Sequence, residues 1–278
     1  MSLYVASLNS GSNGNCYYVG TDQAAILIDA GISCRETERR MRRLKLSMET
    51  IKAVFITHEH ADHIYGVARI AKKYRLPIFI TPDTLRYANL SLPEEQVHPF
   101  RAHVSISIGP LTVTPIPKYH DAVDPHSFII SNETVKVGVF TDVGVPCENT
   151  LKYFGQCHAA FLETNYDEEM LERGTYPMAL KQRIRGGQGH LSNKQALQLF
   201  VDYRPLFMTH LFLSHLSRNN NSPRIVEELF AVAAGGTQIV HAPRYRETKL
   251  FQIRDLGNVN ERRTQNARPF HYQLNLFK

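Results

Sequence analysis

Cysteine is scarce in this chain, and what there is has no pattern. The four residues, Cys16, Cys34, Cys147 and Cys157, form no Cys-x-x-Cys pair and no framework of close spacings. A disulfide scaffold and a thiolate zinc site are therefore excluded, and the four read as free thiols in a reducing compartment. Long apolar runs are missing as well: none approaches the roughly 18 to 20 residues of a membrane span. The first residues, Met1 to Ser7, lack the basic segment and apolar core of a secretory signal. A cytoplasmic protein with no membrane partner is expected. No internal repeat, low-complexity tract or interdomain linker is evident. With 278 residues and 43% hydrophobic content, the chain reads as one large domain over 1–253. A polar tail follows over 254–278, ending in alternating Phe270, Tyr272, Leu274 and Leu276 that would dock as a strand on this or another subunit.

Acidic charge is in the minority, leaving a formal +6, which suits a polyanionic partner. The excess is local. Residues 35–45 hold six basic side chains against Glu36 and Glu38, and 254–278 hold five against Asp255 and Glu261. A basic helix opened by Ser33 is expected, with Arg39, Arg40 and Arg43 as candidate contacts to DNA; a merely solvated face is the alternative.

The densest chemistry is in Thr57-His58-Glu59-His60-Ala61-Asp62-His63. An apolar strand-like run ends in His58, His60, Asp62 and His63, and apolar positions at helical spacing (Ile64, Val67, Ile70, Ala71, Tyr74) follow. A strand-to-helix junction gathers side chains at one end of a sheet. Imidazoles with a carboxylate suit Zn, Mn or Fe rather than Ca or Mg alone. Twice more an apolar strand stops at a ligand type, at His120 and at Asp142. Near the end of a strand read over 206–213 stand His210 and His215, and the position of His215 just past the strand favours it as the ligand. His126, His98, His103, His158, His241 and His271 lack such a setting and read as structural or surface residues. Asp29, closing the strand before the histidine block, is placed to orient a ligand imidazole from behind.

Two segments suit an anion. The loop Ser10-Gly11-Ser12-Asn13-Gly14-Asn15 is either a hairpin turn or a row of N–H groups and small polar side chains facing a phosphate. Gly186-Gly187-Gln188-Gly189-His190-Leu191-Ser192-Asn193 runs into a helix N-terminus, whose apolar face is read as Leu197, Phe200 and Val201.

In this order, His58-x-His60-x-Asp62-His63, His120, Asp142 and His215 resemble the metallo-β-lactamase-fold hydrolase superfamily. Further segments are similar to its YycJ/WalJ-like branch: Ser10 to Cys16, His120-Asp121-Ala122, Glu163-Thr164-Asn165-Tyr166-Asp167, Gly189 to Asn193 and His215-Leu216-Ser217. The resemblance implies an α/β fold, a four-layer αββα sandwich, with two divalent metal ions (Zn, Mn or Fe) at one end of its sheets. His58, His60 and His120 would hold one ion, Asp62, His63 and His215 the other, and Asp142 would bridge them. Asp62 and His190 are the expected catalytic residues, with Ser10, Ser12, Asn13, Asn165, Ser192 and Asn193 at the substrate. His126 departs from the pattern, standing where a small or apolar residue is expected.

The implied activity is a phosphodiesterase or DNA exonuclease whose nucleophile is a metal-bridging hydroxide. Alternatives are a thioesterase- or lactonase-type hydrolase and an RNA-processing nuclease. Against a secreted lactamase stand the absent signal and the aspartate at 142. The stretch between Asp142 and His215 is too short for the inserted domain of the β-CASP nucleases. The oligomeric state stays open.

Overall fold

A computed structural model describes residues 2–257. The first half of the chain forms β1 (Leu3–Asn9), β2 (Cys16–Gly20), β3 (Ala25–Ile28), α1 (Cys34–Arg43), β4 (Ile51–Phe55), α2 (Ala61–Ile64), α3 (Val67–Tyr74), β5 (Ile78–Ile80), α4 (Pro82–Tyr87) and β6 (Val97–Pro99). The second half forms β7 (Ile106–Ile108), β8 (Leu111–Pro117), β9 (His126–Ser131), β10 (Lys136–Phe140), α5 (Glu148–Phe154), β11 (Ala159–Glu163), α6 (Glu168–Arg173), α7 (Met178–Arg185), α8 (Asn193–Tyr203), β12 (His210–Ser214), α9 (Pro223–Ala231), β13 (Gln238–His241) and β14 (Phe251–Ile253). Among the described residues two seven-stranded sheets result, in the orders β14-β1-β2-β3-β4-β5-β6 and β13-β12-β11-β10-β9-β8-β7.

Each sheet begins as an antiparallel meander and continues as parallel strands joined through helices. Side chains alternate across each strand, and here both faces are apolar. Ile26, Ile28, Phe55, Phe128, Phe161 and Phe212 fill the space between the sheets. Leu27 and Val54 face outward onto Met41, Val67 and Ile70. On the other side, Leu162 and Leu213 meet Phe154, Leu199, Phe200 and Phe230. Three apolar layers between four layers of secondary structure make the αββα sandwich.

Strand sense decides where the polar loops go. β3 and β4 are parallel, as are β10, β11 and β12, while β8 shares their sense because both β8 and β10 run against β9. By the same logic β1 runs with β3. The segments after β1, β3, β4, β8, β10, β11 and β12 therefore leave the sheets in one sense, and these segments carry the metal-capable residues.

Several expected elements differ in detail. The helix after His63 is split into α2 and α3 at Gly66, whose N–H donates to Ala30 O at 2.7 Å; a Cβ there would lie 2.1 Å from Ile32 O. The buried face of α8 contains Ala196, Leu199 and Phe200, whereas Val201 is exposed. The strand read over 206–213 starts only at His210, and Leu206 is 71% exposed. Ser33 does cap α1, accepting from Glu36 N, but Arg40 is not a surface residue. Its guanidinium is buried and donates to Leu8 O, Asn9 Oδ1 and Glu36. Arg39 pairs with Glu36, and Arg43 lies 3.5 Å from Glu247. The expected DNA-binding face of α1 is thus largely committed to contacts within the chain. The proposed boundary at 253 falls at the end of β14, which pairs with β1; the expected strand over 270–276 lies outside the described residues.

Gly31 sits where the two loops beside the histidine block meet. Its N–H donates to Asn15 O, and Asn15 N–H donates to Asp62 O. A Cβ on Gly31 would fall 1.6 Å from Asp62 O, with backbone on both sides and no room to yield. Gly31→Ala is expected to cost about 3 kcal/mol, read as a lower urea midpoint at unchanged slope.

Candidate metal centre

Seven donor residues converge in the cleft. His58 Nε2 lies 3.1 Å from His60 Nδ1, and His120 Nε2 lies 3.3 Å from the same atom. Beside this trio, His63 Nε2 is 3.7 Å and His215 Nε2 is 3.6 Å from Asp62 Oδ2. Asp142 stands between them. Its Oδ2 is 3.1 Å from His63 Nε2, and its Oδ1 is 3.3 Å from His215 Nδ1 and 3.9 Å from His120 Nε2. Donor atoms of His58, His60 and His120 lie close enough together to hold one ion, as do those of Asp62, His63 and His215; Asp142 also groups with His58 and His63.

The far nitrogen of most of these imidazoles is already bound, which fixes the one that faces the cleft. His63 Nδ1 donates to Asp29 Oδ2 at 2.7 Å. His215 Nδ1 donates to Glu163 Oε1 at 2.9 Å, and His120 Nδ1 donates to Gly189 O at 3.0 Å. His58 Nδ1 meets the Thr57 hydroxyl at 2.8 Å, and that hydroxyl in turn donates to Asp29.

These residues fit a divalent metal. Asp142 Oδ2 and His215 Nε2 are buried without a hydrogen-bond partner, although buried polar atoms are rarely left unpaired; both face the cleft. Asp29, Asp142 and Glu163 are wholly buried, and Lys118 is a buried cation beside them, its Nζ donating to Thr141 O at 2.6 Å. Without further cations the imidazoles must balance the carboxylates. Burial opposes a charge on His63 and His215, yet Asp142, with Asp29 at His63 and with Asp62 and Glu163 at His215, raises both instead. Burial holds His58 well below the usual imidazole range and lowers His120. Divalent ions would take over that balance and leave every ligand imidazole neutral.

The remaining candidates fall into two groups. His190 is partly exposed, its rings 5.3 Å from those of His120 and His215 between centroids, and its Nδ1 donates to Glu163 Oε1 at 2.8 Å. Ser12 and Asn13 are exposed and hold Arg244. By contrast, Ser10, Asn165, Ser192 and Asn193 are buried. The Ser10 hydroxyl accepts from His215 N, and Asn165 donates to His215 O. Ser192 caps α8 and donates to Glu168, while Asn193 and Asn221 bond each other. They support the site from behind. His126 is structural, its ring against Phe100 and its N–H donating to Thr57 O. His210 packs on Phe212 and Phe251, away from the donor sets.

Three residues escaped the sequence reading. Glu163 binds two imidazoles through Oε1 and accepts from Val143 N and Leu191 N through Oε2. Its oxygens thus orient His190 and His215, and it also groups with Asp142, His190 and His215 as a possible donor set. Asn15 Nδ2 lies 3.2 Å from Asp62 Oδ2 and 3.0 Å from His63 Nε2. Lys118 is the third. Glu163 had a signal, being a carboxylate that ends an apolar strand as Asp29 and Asp142 do.

The family model described as a beta-lactamase superfamily domain matches residues 24–215. The chain belongs to the beta-lactamase superfamily. Over 92% of its length it is 31% identical to a Bacillus anthracis protein named exodeoxyribonuclease YycJ, covering 96% of that protein. A Streptococcus pneumoniae protein named exodeoxyribonuclease WalJ is 30% identical over 77% of this chain and 81% of its own length. Among solved structures, the metallo-β-lactamase fold protein YhfI of Bacillus subtilis superposes with a TM-score of 0.70 at 15% identity, over 91% of this chain and all of the other. Two sheets flanked by helices, with a His/Asp cluster at the strand ends, are thus the metallo-β-lactamase fold of a metal-dependent hydrolase.

Since Glu163 orients two imidazoles at once, Glu163→Gln is expected to weaken metal binding by about 10- to 100-fold. Competition with a chromophoric chelator measures this. Saturating Zn or Mn should also raise the melting temperature of the native chain, by about 2.7 kcal/mol in stability at a hundred times Kd; an unmoved transition would remove these residues as a metal site.

Proposed function

We propose that the protein is a metal-dependent phosphodiesterase that degrades DNA from its ends and works with two divalent ions. What carries the reading is the alignment, over nearly the whole chain, with a relative named an exodeoxyribonuclease. His58, His60 and His120 would hold one ion, Asp62, His63 and His215 the other, with Asp142 facing both. Donors limited to nitrogen and oxygen suit Zn, Mn or Fe. When bound, such ions supply Lewis acidity at the phosphate and lower the pKa of water.

The chain's own groups do the rest. Asp62, with its side chain 22% exposed, accepts a hydrogen bond from the attacking water and so orients it. Glu163 holds His190 by Nδ1, which leaves the opposite nitrogen to donate to the phosphate oxygen on which charge builds. The buried imidazole rings around them narrow the space for bulk water. Residues 1–253 form the catalytic unit in this reading.

With Mn or Zn the purified protein should degrade end-labelled duplex DNA and hydrolyse a simple phosphodiester, and His60→Ala should abolish both. His190→Ala is expected to lower kcat about 10²-fold while metal content stays at the native level. Full activity of the His60 variant, or wild-type turnover confined to thioesters and lactones, would overturn the assignment.

A further inference from the structure

Beside the metal centre lies a cavity of about 330 Å³. On the side of His215 it is lined by Ser10 and Leu216, and elsewhere by Arg218, His241, Arg244 and Arg246. Among the described residues no aspartate or glutamate lines it. The arginines differ in how they are held. Arg244 is half-buried and locked in place: Nη1 donates to Ser12 Oγ and Asn13 Oδ1 at 3.0 and 3.1 Å, and Nη2 donates to Leu216 O at 2.6 Å. Asn13 Nδ2 returns a bond to Arg244 O. Gly11, at φ 137°, lets the guanidinium lie on the loop, since a Cβ there would come within 2.9 Å of its Cζ. Arg218 and Arg246 are exposed and have no hydrogen bond or ion pair among the described residues.

Like charges are not usually gathered around an uncharged cavity without an anion to bind. A second basic cavity, of about 610 Å³ between α1 and α3, makes the contrast. There Glu38 lines the wall and pairs with Lys73 at 2.7 Å. The smaller cavity has no carboxylate of its own among the described residues, two exposed guanidiniums without a partner and a third held in place, and its Ser10 accepts from the backbone N–H of His215. Guanidinium binds phosphate through paired N–H groups. At the rim, Tyr245 is 65% exposed, a face on which a base can stack.

We infer that this cavity is a second phosphate subsite, which binds a non-reacting phosphate of the nucleic-acid strand whose scissile phosphate lies at the metal centre. The assignment rests on the phosphodiesterase reading above. Arg244 sets the position of the phosphate and Arg218 and Arg246 complete its charge. A substrate with a single phosphate gains nothing from them.

The test compares the Arg218→Ala/Arg246→Ala double variant with wild type on two substrates, a short 5′-labelled oligonucleotide and bis(4-nitrophenyl) phosphate, both with Mn. Neither arginine has a partner to lose, so the fold is kept, as circular dichroism would verify. For the oligonucleotide, KM should rise at least about tenfold, and the slope of log kcat/KM against log salt should flatten by about 1.4, two contacts at roughly 0.7 each for a single strand. Equal losses on both substrates, or an unchanged KM and salt slope on the oligonucleotide, would overturn the subsite alone. A wild-type enzyme that hydrolyses the small diester but no nucleic acid would overturn the DNA reading and the subsite with it.

Discussion

Asp29 at the end of β3 and Glu163 at the end of β11 each tie an imidazole to a backbone N–H of a neighbouring loop, and the geometry of the cleft depends on those bonds. Asp29 accepts from His63 Nδ1 and from Thr57 N and Oγ1. Glu163 accepts from His190 and His215 and from Val143 N and Leu191 N. One carboxylate belongs to each sheet, so the two halves of the chain make the same arrangement with different residues. Removing either would leave buried N–H groups unpaired, at about 1 to 3 kcal/mol apiece, and would release the rings. Ring orientation and loop position are therefore one constraint.

That constraint explains the backbone at the strand ends. Asp29, Asp142 and His215 all take left-handed φ values, 60°, 54° and 57°, a region that disfavours residues bearing a Cβ by roughly 1 to 2 kcal/mol. In an extended strand the next side chain would point into the inter-sheet core or onto the outer helices. A left-handed residue breaks the alternation and turns its side chain into the cleft. Two of them are tied to neighbouring segments: Asp29 N donates to Phe55 O at 2.8 Å, and His215 N donates to Ser10 Oγ at 2.7 Å. Strain of this kind persists where surrounding bonds over-determine the conformation.

The same physics decides how much was legible in the sequence. His58, His60, Asp62 and His63 stood out because polar metal donors seldom follow an apolar strand at such density, and His120, Asp142 and His215 because each closes a strand. Glu163 obeys that rule too, but it stood out only as part of the segment Glu163-Thr164-Asn165-Tyr166-Asp167, with no role of its own. Ser192 and Asn193 show a second ambiguity. A side chain that caps a helix and one that greets an anion have the same composition, and only burial separates them. Likewise a run of arginines does not reveal that Arg40 points inward, because its partners, Leu8 O and Asn9, are distant in the chain.

Charge placement, rather than net charge, is what the fold adds. Buried carboxylates surround the donors, so a polyanion needs positive groups close by to approach. Arg39, Arg40 and Arg43 of α1 are poor candidates, since Glu36 and Glu247 already answer them. Arg244 is different. It comes from the segment between β13 and β14, far from the histidine block in sequence, yet it binds the β1–β2 loop whose Asn15 touches Asp62 and His63. One loop thus links the donor cluster to Arg244, so a shift at Gly11 or Asn13 would move both together.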